Sequence, residues 1–446
     1  MALAYDAKVN YNDTLATVRP WDIIIHNYLL EQNIVIPFMK ENVMDKPLVG
    51  GHVKEPIPGM YKWVVSFDLN SLYPHLIMQY NISTETYVDQ FDDFPSIDAI
   101  LSSDDTYGKA GPDGKSECAI AANGCYYRKD FQGFLPALME RMYDDRTKYK
   151  KLMLEAKQRY EKNPNPEDEK LIARYHNMQM AKKIQLNSAY GALGNQYFRW
   201  FNFNLAESIT TSGQLSIRWI EKKINLYMNK MLKTKDVDYV IASDTDSIYI
   251  SMADLVERTG LSDEKSIVDA IDKFCEQKIQ PYIDDCYQIL ADRMSAYQQK
   301  MKMKRETIAN KGIWRKKKMY ILNAWDIEGV RFEQPKLKIN GIEAVRSSTP
   351  RSCRDAIKKA LEIIMNKNEA DLNEYVVKYR NEFDNLPFED IAFPRGMNGL
   401  NEYKDNFTIF KPGTPIHTKG ALLFNHLLQH KGITEIPPIQ DGDKIK

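Results

Sequence analysis

The chain has 446 residues, and its 61 lysines and arginines balance 61 aspartates and glutamates, so no global charge advertises a nucleic-acid or membrane partner. A 43% hydrophobic and 27% charged composition excludes extended disorder, and the length favours two or more packed bodies. No apolar run is long enough to cross a bilayer and no secretory start is present, so an intracellular protein is expected.

The five cysteines, at 118, 125, 275, 286 and 353, contain no CxxC pair and give no reason to expect a zinc cluster. Taken in chain order, Trp21 through Leu30 is apolar at helical spacing and predicts an amphipathic helix. The punctuated stretch GGHVKEPIPGMYK predicts a loop before a strand. WVVSFDL then reads as an apolar strand ending on Asp68, with SLYPHLIMQY turning into a helix. Residues 96–124 are polar and read as a surface loop or hairpin. From about Pro136 two long helical patterns flank the turn NPNPEDE, which predicts a helical hairpin able to move as a lever. A helix over 206–231 follows, then the hairpin pattern of DVDYVIASDTDSIYISM. Residues 266–296 read as helix, RETIAN to YILNAWDIEGV as strands, and the region after Thr349 as helix again, with a loop-rich last part from Phe388 that holds the final helix ALLFNHLLQH. Runs of strands and helices mixed in this way predict an α/β (α+β) fold.

Asp244 and Asp246 fall in the turn between two strand arms, where alternation would aim both to one side. If the strand ending at Asp68 lies beside them, three carboxylates meet at one sheet end. Hard oxygen ligands of this kind suit magnesium or manganese, and two such ions support an in-line displacement at phosphorus. Aspartate is also common in ordinary surface turns, so neither motif carries the reading alone. Arg146 and Lys150 share a face of the first hairpin helix, and Lys183 and Asn187 share a face of the second, with Tyr190 nearby. Opposed across the hairpin, they form a surface suited to a triphosphate. Lys182 is the adjacent rival to Lys183; the four-residue spacing to Asn187 favours Lys183. From Lys300 to Lys318 the chain carries nine basic residues against the single acid Glu306, interleaved with Trp314 and Tyr320. That segregation suits a nucleic-acid backbone, with Lys318 and Tyr320 pointing one way from a strand.

These motifs together resemble the family B DNA polymerases, particularly those of T-even-like bacteriophages. DLNSLYP resembles the first catalytic motif, KIQLNSAYG the fingers-helix motif, SDTDS the second carboxylate motif and KKMY the motif that grips primer–template. DIEGVRFEQPKLKINGIEAVRSSTP extends the likeness, which covers nearly the whole chain. The resemblance implies a right-hand architecture with an antiparallel-sheet palm, helical-hairpin fingers and a partial helical thumb. Its divisions are 1–39 leading in, 40–132 and 196–341 as palm, 133–195 as fingers and 342–446 as partial thumb.

The resemblance further implies that Asp68, Asp246 and the Leu69 carbonyl hold two Mg2+ ions, for which Mn2+ would substitute, with Asp244 a neighbouring catalytic acid. Ser71, Leu72, Arg146, Lys150, Lys183 and Asn187 would contact the incoming dNTP. Lys183 would also belong to the catalytic set, Tyr73 would exclude a 2'-hydroxyl, and Tyr190 would face the nascent base pair. Lys317, Lys318 and Tyr320 would touch the primer–template DNA, with Glu306 bracing them. Ala242, Ser243, Met319 and His75 depart from common family residues but remove no metal ligand. The catalytic strand lies within seventy residues of Met1, leaving no room before it for a 3'-5' exonuclease, so the chain is expected to be either one product of a split polymerase gene, with the exonuclease on a separate polypeptide, or an engineered fragment. A sliding clamp would join through the complete assembly. The implied setting is the cytoplasm of an infected bacterial host cell. The rival expectations are a non-catalytic DNA-binding subunit, catalysis only after assembly, and a nuclease, which would leave the spacing of Arg146, Lys150, Lys183 and Asn187 unexplained.

Overall fold

The computed structural model describes residues 1–44 and 46–445. They form two compact units. The first comprises Met1–Ile57, Tyr61–Asn310 and Trp325–Glu333; the second comprises Pro58–Met60, Lys311–Ala324 and the chain from Gln334 on.

The first unit opens with helices α1 (Ala2–Ala7) and α2 (Arg19–Glu31). Pro20 sits in the first turn of α2, where its missing N–H costs nothing. Trp21, Ile24, Ile25 and Leu29 recur at helical spacing and are buried. Strand β1 (Gly59–Leu69) leads through a tight turn into α3 (Leu72–Tyr80). A small antiparallel sheet of β2 (Tyr87–Gln90), β3 (Cys118–Ile120) and β4 (Cys125–Arg128) follows in the order β2-β4-β3, with α4 (Ile97–Ser102) between its first two strands. The stretch 96–124 is therefore more than the surface loop or hairpin expected. Ile100, Cys118, Ala119 and Ile120 are fully buried, and these few apolar residues in a polar context anchor it.

Helices α5 (Phe134–Lys162) and α6 (Pro166–Leu193) form the expected hairpin. Its tip is fixed locally: the Asp168 amide donates to the Asn165 side chain at 2.8 Å, capping α6, and Arg159 donates to the Asp168 carboxylate at 2.7 and 3.0 Å. At its root the Trp21 indole N–H donates to Gln185 O at 3.2 Å and Ser188 Oγ at 3.0 Å, so α2 is pinned to α6.

Helix α7 (Phe203–Leu232) lies under the strands β5 (Val240–Asp244) and β6 (Ser247–Ser251) and buries Leu205, Ile209, Leu215 and Ile220. After α8 (Ala253–Thr259), α9 (Glu264–Phe274) runs into α10 (Gln280–Arg293) through a π-helical turn at Cys275–Ile279; Pro281 lies in the first turn of α10. Strands β7 (Met303–Lys316), β8 (Met319–Ile327) and β9 (Val330–Asn340) complete a six-stranded sheet in the order β5-β6-β1-β7-β8-β9. The strand that precedes the first acidic motif thus sits beside the hairpin that carries the second.

In the second unit the end of β7, the start of β8 and the end of β9 pack on α11 (Arg351–Asn366) in a core that includes Met319, Ile321, Ile342 and Met365. Helix α12 (Glu369–Phe383) begins on a reciprocal cap between Asn368 and Asp371. The short α13 (Phe388–Ile391) precedes α14 (Ile416–His430), whose Ala421 and Leu422 form a separate core with Met397 and Leu400. Among the described residues no helix is long and apolar enough to cross a membrane.

Candidate active site

Sheet register sets the acidic residues. On one side of Ser247 stands Asp68 of β1; on the other stands Asp244 of β5. The Leu69 amide donates to the Asp246 carbonyl at 2.8 Å, which ties the end of β1 to the β5–β6 turn. The three acidic residues therefore meet at one sheet end, as the motif order predicts. They do not share one surface. Asp68, Leu69 and Asp246 line a cavity of about 520 Å3, whereas Asp244 is not among its lining residues. The Thr245 hydroxyl donates to the Asp244 carboxylate at 3.2 Å, so Asp244 braces the turn. Strand alternation does not extend through this turn, because Thr245 takes the left-handed conformation with φ 58°.

The opposite wall of the cavity comes from the helical hairpin. Arg146 and Lys150 of α5 and Lys183 and Asn187 of α6 all line it. Arg146 donates to the Ser71 hydroxyl at 2.9 Å, and its buried Nε has no partner among the described residues. Lys150 faces Glu328 at 4.0 Å. The choice between adjacent lysines resolves physically. Lys182 is buried in ion pairs with Asp6 at 2.9 Å and Asp145 at 3.1 Å, while Lys183 is exposed toward the cavity. Burial draws the Lys182 pKa down, but the two carboxylates outweigh it and carry it above the ordinary lysine value.

The cavity floor is the β1–α3 turn. Ser71 adopts φ 45°, a strained conformation for a non-glycine residue, and it leaves Ser71 and Leu72 at the start of α3. First-turn amides of a helix lack intrahelical acceptors and suit an anion. The Tyr73 ring packs on Tyr190 with centroids 4.7 Å apart. Burial, reinforced by Tyr190 and Asp246, pushes the Tyr73 phenol up to about 12, so it stays neutral near pH 7. His75, buried beside Ser71, stacks edge-on with Tyr143 at 4.5 Å, and burial holds its pKa below the ordinary value.

An adjoining cavity of about 370 Å3 extends from Asp68 to Lys304 and Glu306. Glu306 accepts from the Ser66 hydroxyl at 3.2 Å. The basic segment is less uniform than its composition suggests. Lys300 pairs with Glu140 at 2.7 Å, and Arg305 pairs with Asp272 at 2.9 Å and Asp326 at 2.6 Å, so part of its charge serves the fold. In the second unit Lys317 and Lys318 are exposed at the β7–β8 turn, where Lys318 has φ 60°. Tyr320 is only 5% exposed, stacks on Trp314 and accepts from the Asn340 amide at 3.1 Å. Lys318 and Tyr320 therefore do not project together from one strand, as alternation had suggested; one is in the turn and the other in the core. Sequence reasoning missed Asn70, Thr245 and Glu328 as lining residues. Asn70 and Thr245 sit inside the quoted acidic motifs, and Glu328 occupies the turn between β8 and β9.

The donor set can be judged by its chemistry. Asp68 and Asp246 offer hard carboxylate oxygens on one wall, opposite three cationic side chains, which fits Mg2+ in contact with a polyphosphate. Among the described residues no three acidic, histidine or cysteine side chains gather as a metal cluster, so the remaining coordination would fall to backbone and substrate oxygens.

The sequence profile of DNA polymerase family B matches residues 19–392. Over 99% of its length the chain is 35% identical to a DNA-directed DNA polymerase of Escherichia phage RB69, covering 54% of that protein. The corresponding protein of Enterobacteria phage T4 is 31% identical over all of the chain and 54% of its own length. DNA polymerase 1 of Pyrococcus abyssi (strain GE5 / Orsay) is 28% identical over 74% of the chain and 34% of its own. The chain thus spans about half the length of the two phage relatives.

Proposed function

The chain belongs to DNA polymerase family B, and from that premise we propose that it carries the nucleotidyl-transfer site of a template-directed DNA polymerase. The observation that carries the reading is a single cavity in which Asp68 and Asp246 face Arg146, Lys150, Lys183 and Asn187 from both helices of the hairpin. The primer 3'-hydroxyl attacks the α-phosphorus of a dNTP; the new P–O bond forms as the α–β bridge breaks and pyrophosphate leaves. Asp68, Asp246 and the Leu69 carbonyl would hold two Mg2+ ions, or Mn2+ in their place. When bound, these ions would acidify the attacking hydroxyl and neutralise charge on the leaving phosphates.

The protein's own side chains supply position and charge. Arg146 presents its fork to the phosphates while Ser71 holds one of its nitrogens, Lys150 and Lys183 neutralise the triphosphate, and Asn187 orients it. The amides of Ser71 and Leu72 complete the cradle. Tyr73 lies under the sugar and leaves no volume for a 2'-hydroxyl; Tyr190 meets the nascent base pair. Asp244 keeps the turn that carries Asp246 in place through Thr245. Lys317 and Lys318 would engage primer–template DNA, with Tyr320 supporting their turn from the core beneath and Glu306 bracing the adjoining surface. In the finer reading, 133–195 is the fingers, 40–132 and 196–341 the palm, and 342–446 part of a thumb.

Partners in this reading are primer–template DNA and dNTP. A sliding clamp, within an infected bacterial cell, belongs to the same proposal and is tested by co-purification. The deciding experiment is single-nucleotide primer extension on four templates that differ at one position, at low salt to strengthen DNA binding. The added nucleotide should follow the template base. Addition that ignores the template, or none at any protein concentration, would refute the reading.

A further inference from the structure

The GGHVKE loop is more than a connector to β1. It lies against the edge of the acidic hairpin: the Thr245 amide donates to His52 O at 2.9 Å, the Lys54 amide to Ser243 O at 3.2 Å, and Val53 bridges Asp244 in antiparallel fashion. The Gln214 side chain of α7 donates to Gly50 O at 2.6 Å. Gly51 is therefore held on both flanks.

A Cβ at Gly51 would stand 2.8 Å from Thr245 Cγ2 and 3.2 Å from both Thr245 Oγ1 and the Tyr73 hydroxyl. The demand is for space, since the φ of Gly51 lies outside the left-handed region. Neither neighbour has slack. Thr245 is fixed by its left-handed backbone, its amide bond to His52 and its hydroxyl bond to Asp244. The Tyr73 ring is wedged between Tyr190, 4.7 Å away, and Gly213, where even a Cβ would meet Tyr73 Cε1 at 3.4 Å. Thr245 and Tyr73 line the cavity, and Gly51 is not among its lining residues. A side chain at Gly51 thus displaces both residues toward the cavity.

We propose that Gly51 is a specificity-determining position that sets how far the Tyr73 hydroxyl reaches into the sugar site. This rests on the polymerase reading and extends it to a residue that touches no substrate. The test measures kcat/KM for a deoxynucleotide and for its ribonucleotide in primer extension by Gly51→Ala, with Gly50→Ala as control. A Cβ at Gly50 meets nothing within 4 Å, so that variant should behave as the wild type.

For Gly51→Ala, overpacking predicts that the KM for the deoxynucleotide rises about fivefold and that the deoxy-to-ribo ratio rises by at least as much. The effect must shrink when Tyr73→Phe is present, because the contacted oxygen is gone. An unchanged ratio, a ratio moved toward ribonucleotide, or an equal effect in the Tyr73→Phe background overturns the proposal while leaving the polymerase reading intact. A wild-type chain that adds no nucleotide would instead remove the polymerase reading itself, and the proposal with it.

Discussion

Two neighbouring lysines on α6 should respond to substitution in opposite ways. Consecutive helical residues point about 100° apart, and here one faces the fold and the other the cavity. Lys182 holds Asp6 at 2.9 Å and Asp145 at 3.1 Å, so Lys182→Met strands a largely buried Asp6. Losing one partner of such a pair costs about 3 kcal/mol. With unfolding entropy near 2.1 cal/mol/K per residue, the 446-residue chain loses roughly 3 °C of Tm. Lys183→Met removes an exposed side chain, leaves stability within about 0.5 kcal/mol, and lowers kcat/KM for nucleotide about 100-fold. Differential scanning calorimetry and steady-state single-nucleotide extension on both variants make the comparison. A Lys183→Met chain that extends normally, or a Lys182→Met chain with unaltered Tm, would refute the assignment of the two faces.

The pH dependence of the same pair follows from its sign. Burial lowers the Lys182 pKa, but Asp6 and Asp145 raise it further, to above the ordinary 10.5. Its stabilisation is therefore full below about pH 10.5 and is lost as pH rises through the folded value, so the Tm gap between wild type and Lys182→Met should be constant from neutral pH to about 9 and close in stronger alkali. Tyr73→Ala should reduce discrimination against ribonucleotides roughly 100-fold, read as the ratio of the two kcat/KM values; an unchanged ratio would remove its gating role. Asp326 is 1% exposed and accepts from Arg305 at 2.6 Å and Arg331 at 3.2 Å. Asp326→Ala leaves both guanidiniums short of a partner and should cost about 3–5 kcal/mol in chemical denaturation. A cost below 1 kcal/mol would show that Asp272, which pairs with both guanidiniums at 2.9 Å, and Asp269, 2.5 Å from Arg331, suffice.

How legible the site was depends on the range of the interaction. Asp68 was readable because an apolar strand stops on it, and Asp246 because two strand patterns flank it. Lys183 was separable from Lys182 only by its spacing to Asn187; the physical reason, a carboxylate 176 positions upstream at Asp6, has no local signature. The basic segment misled for the same reason. Glu140 neutralises Lys300 and Asp326 neutralises Arg305, and neither partner lies within that segment. Tyr320 looked exposed among lysines, yet it packs on Trp314 in the second unit. In 96–124 a few buried apolar residues organise a helix and a strand that polar composition concealed. Backbone geometry was the least visible: Ser71 and Thr245 both sit at positive φ beside the carboxylates, and their side-chain types do not require it.

The central claim is that Asp68 and Asp246 act as one pair at the point of nucleotidyl transfer. Single-turnover primer extension in Mg2+ by Asp68→Asn and by Asp246→Asn, with melting curves recorded in parallel, tests it most directly. Each variant should keep its Tm and lose extension by at least about 1000-fold. Near-normal extension by either variant would contradict the account.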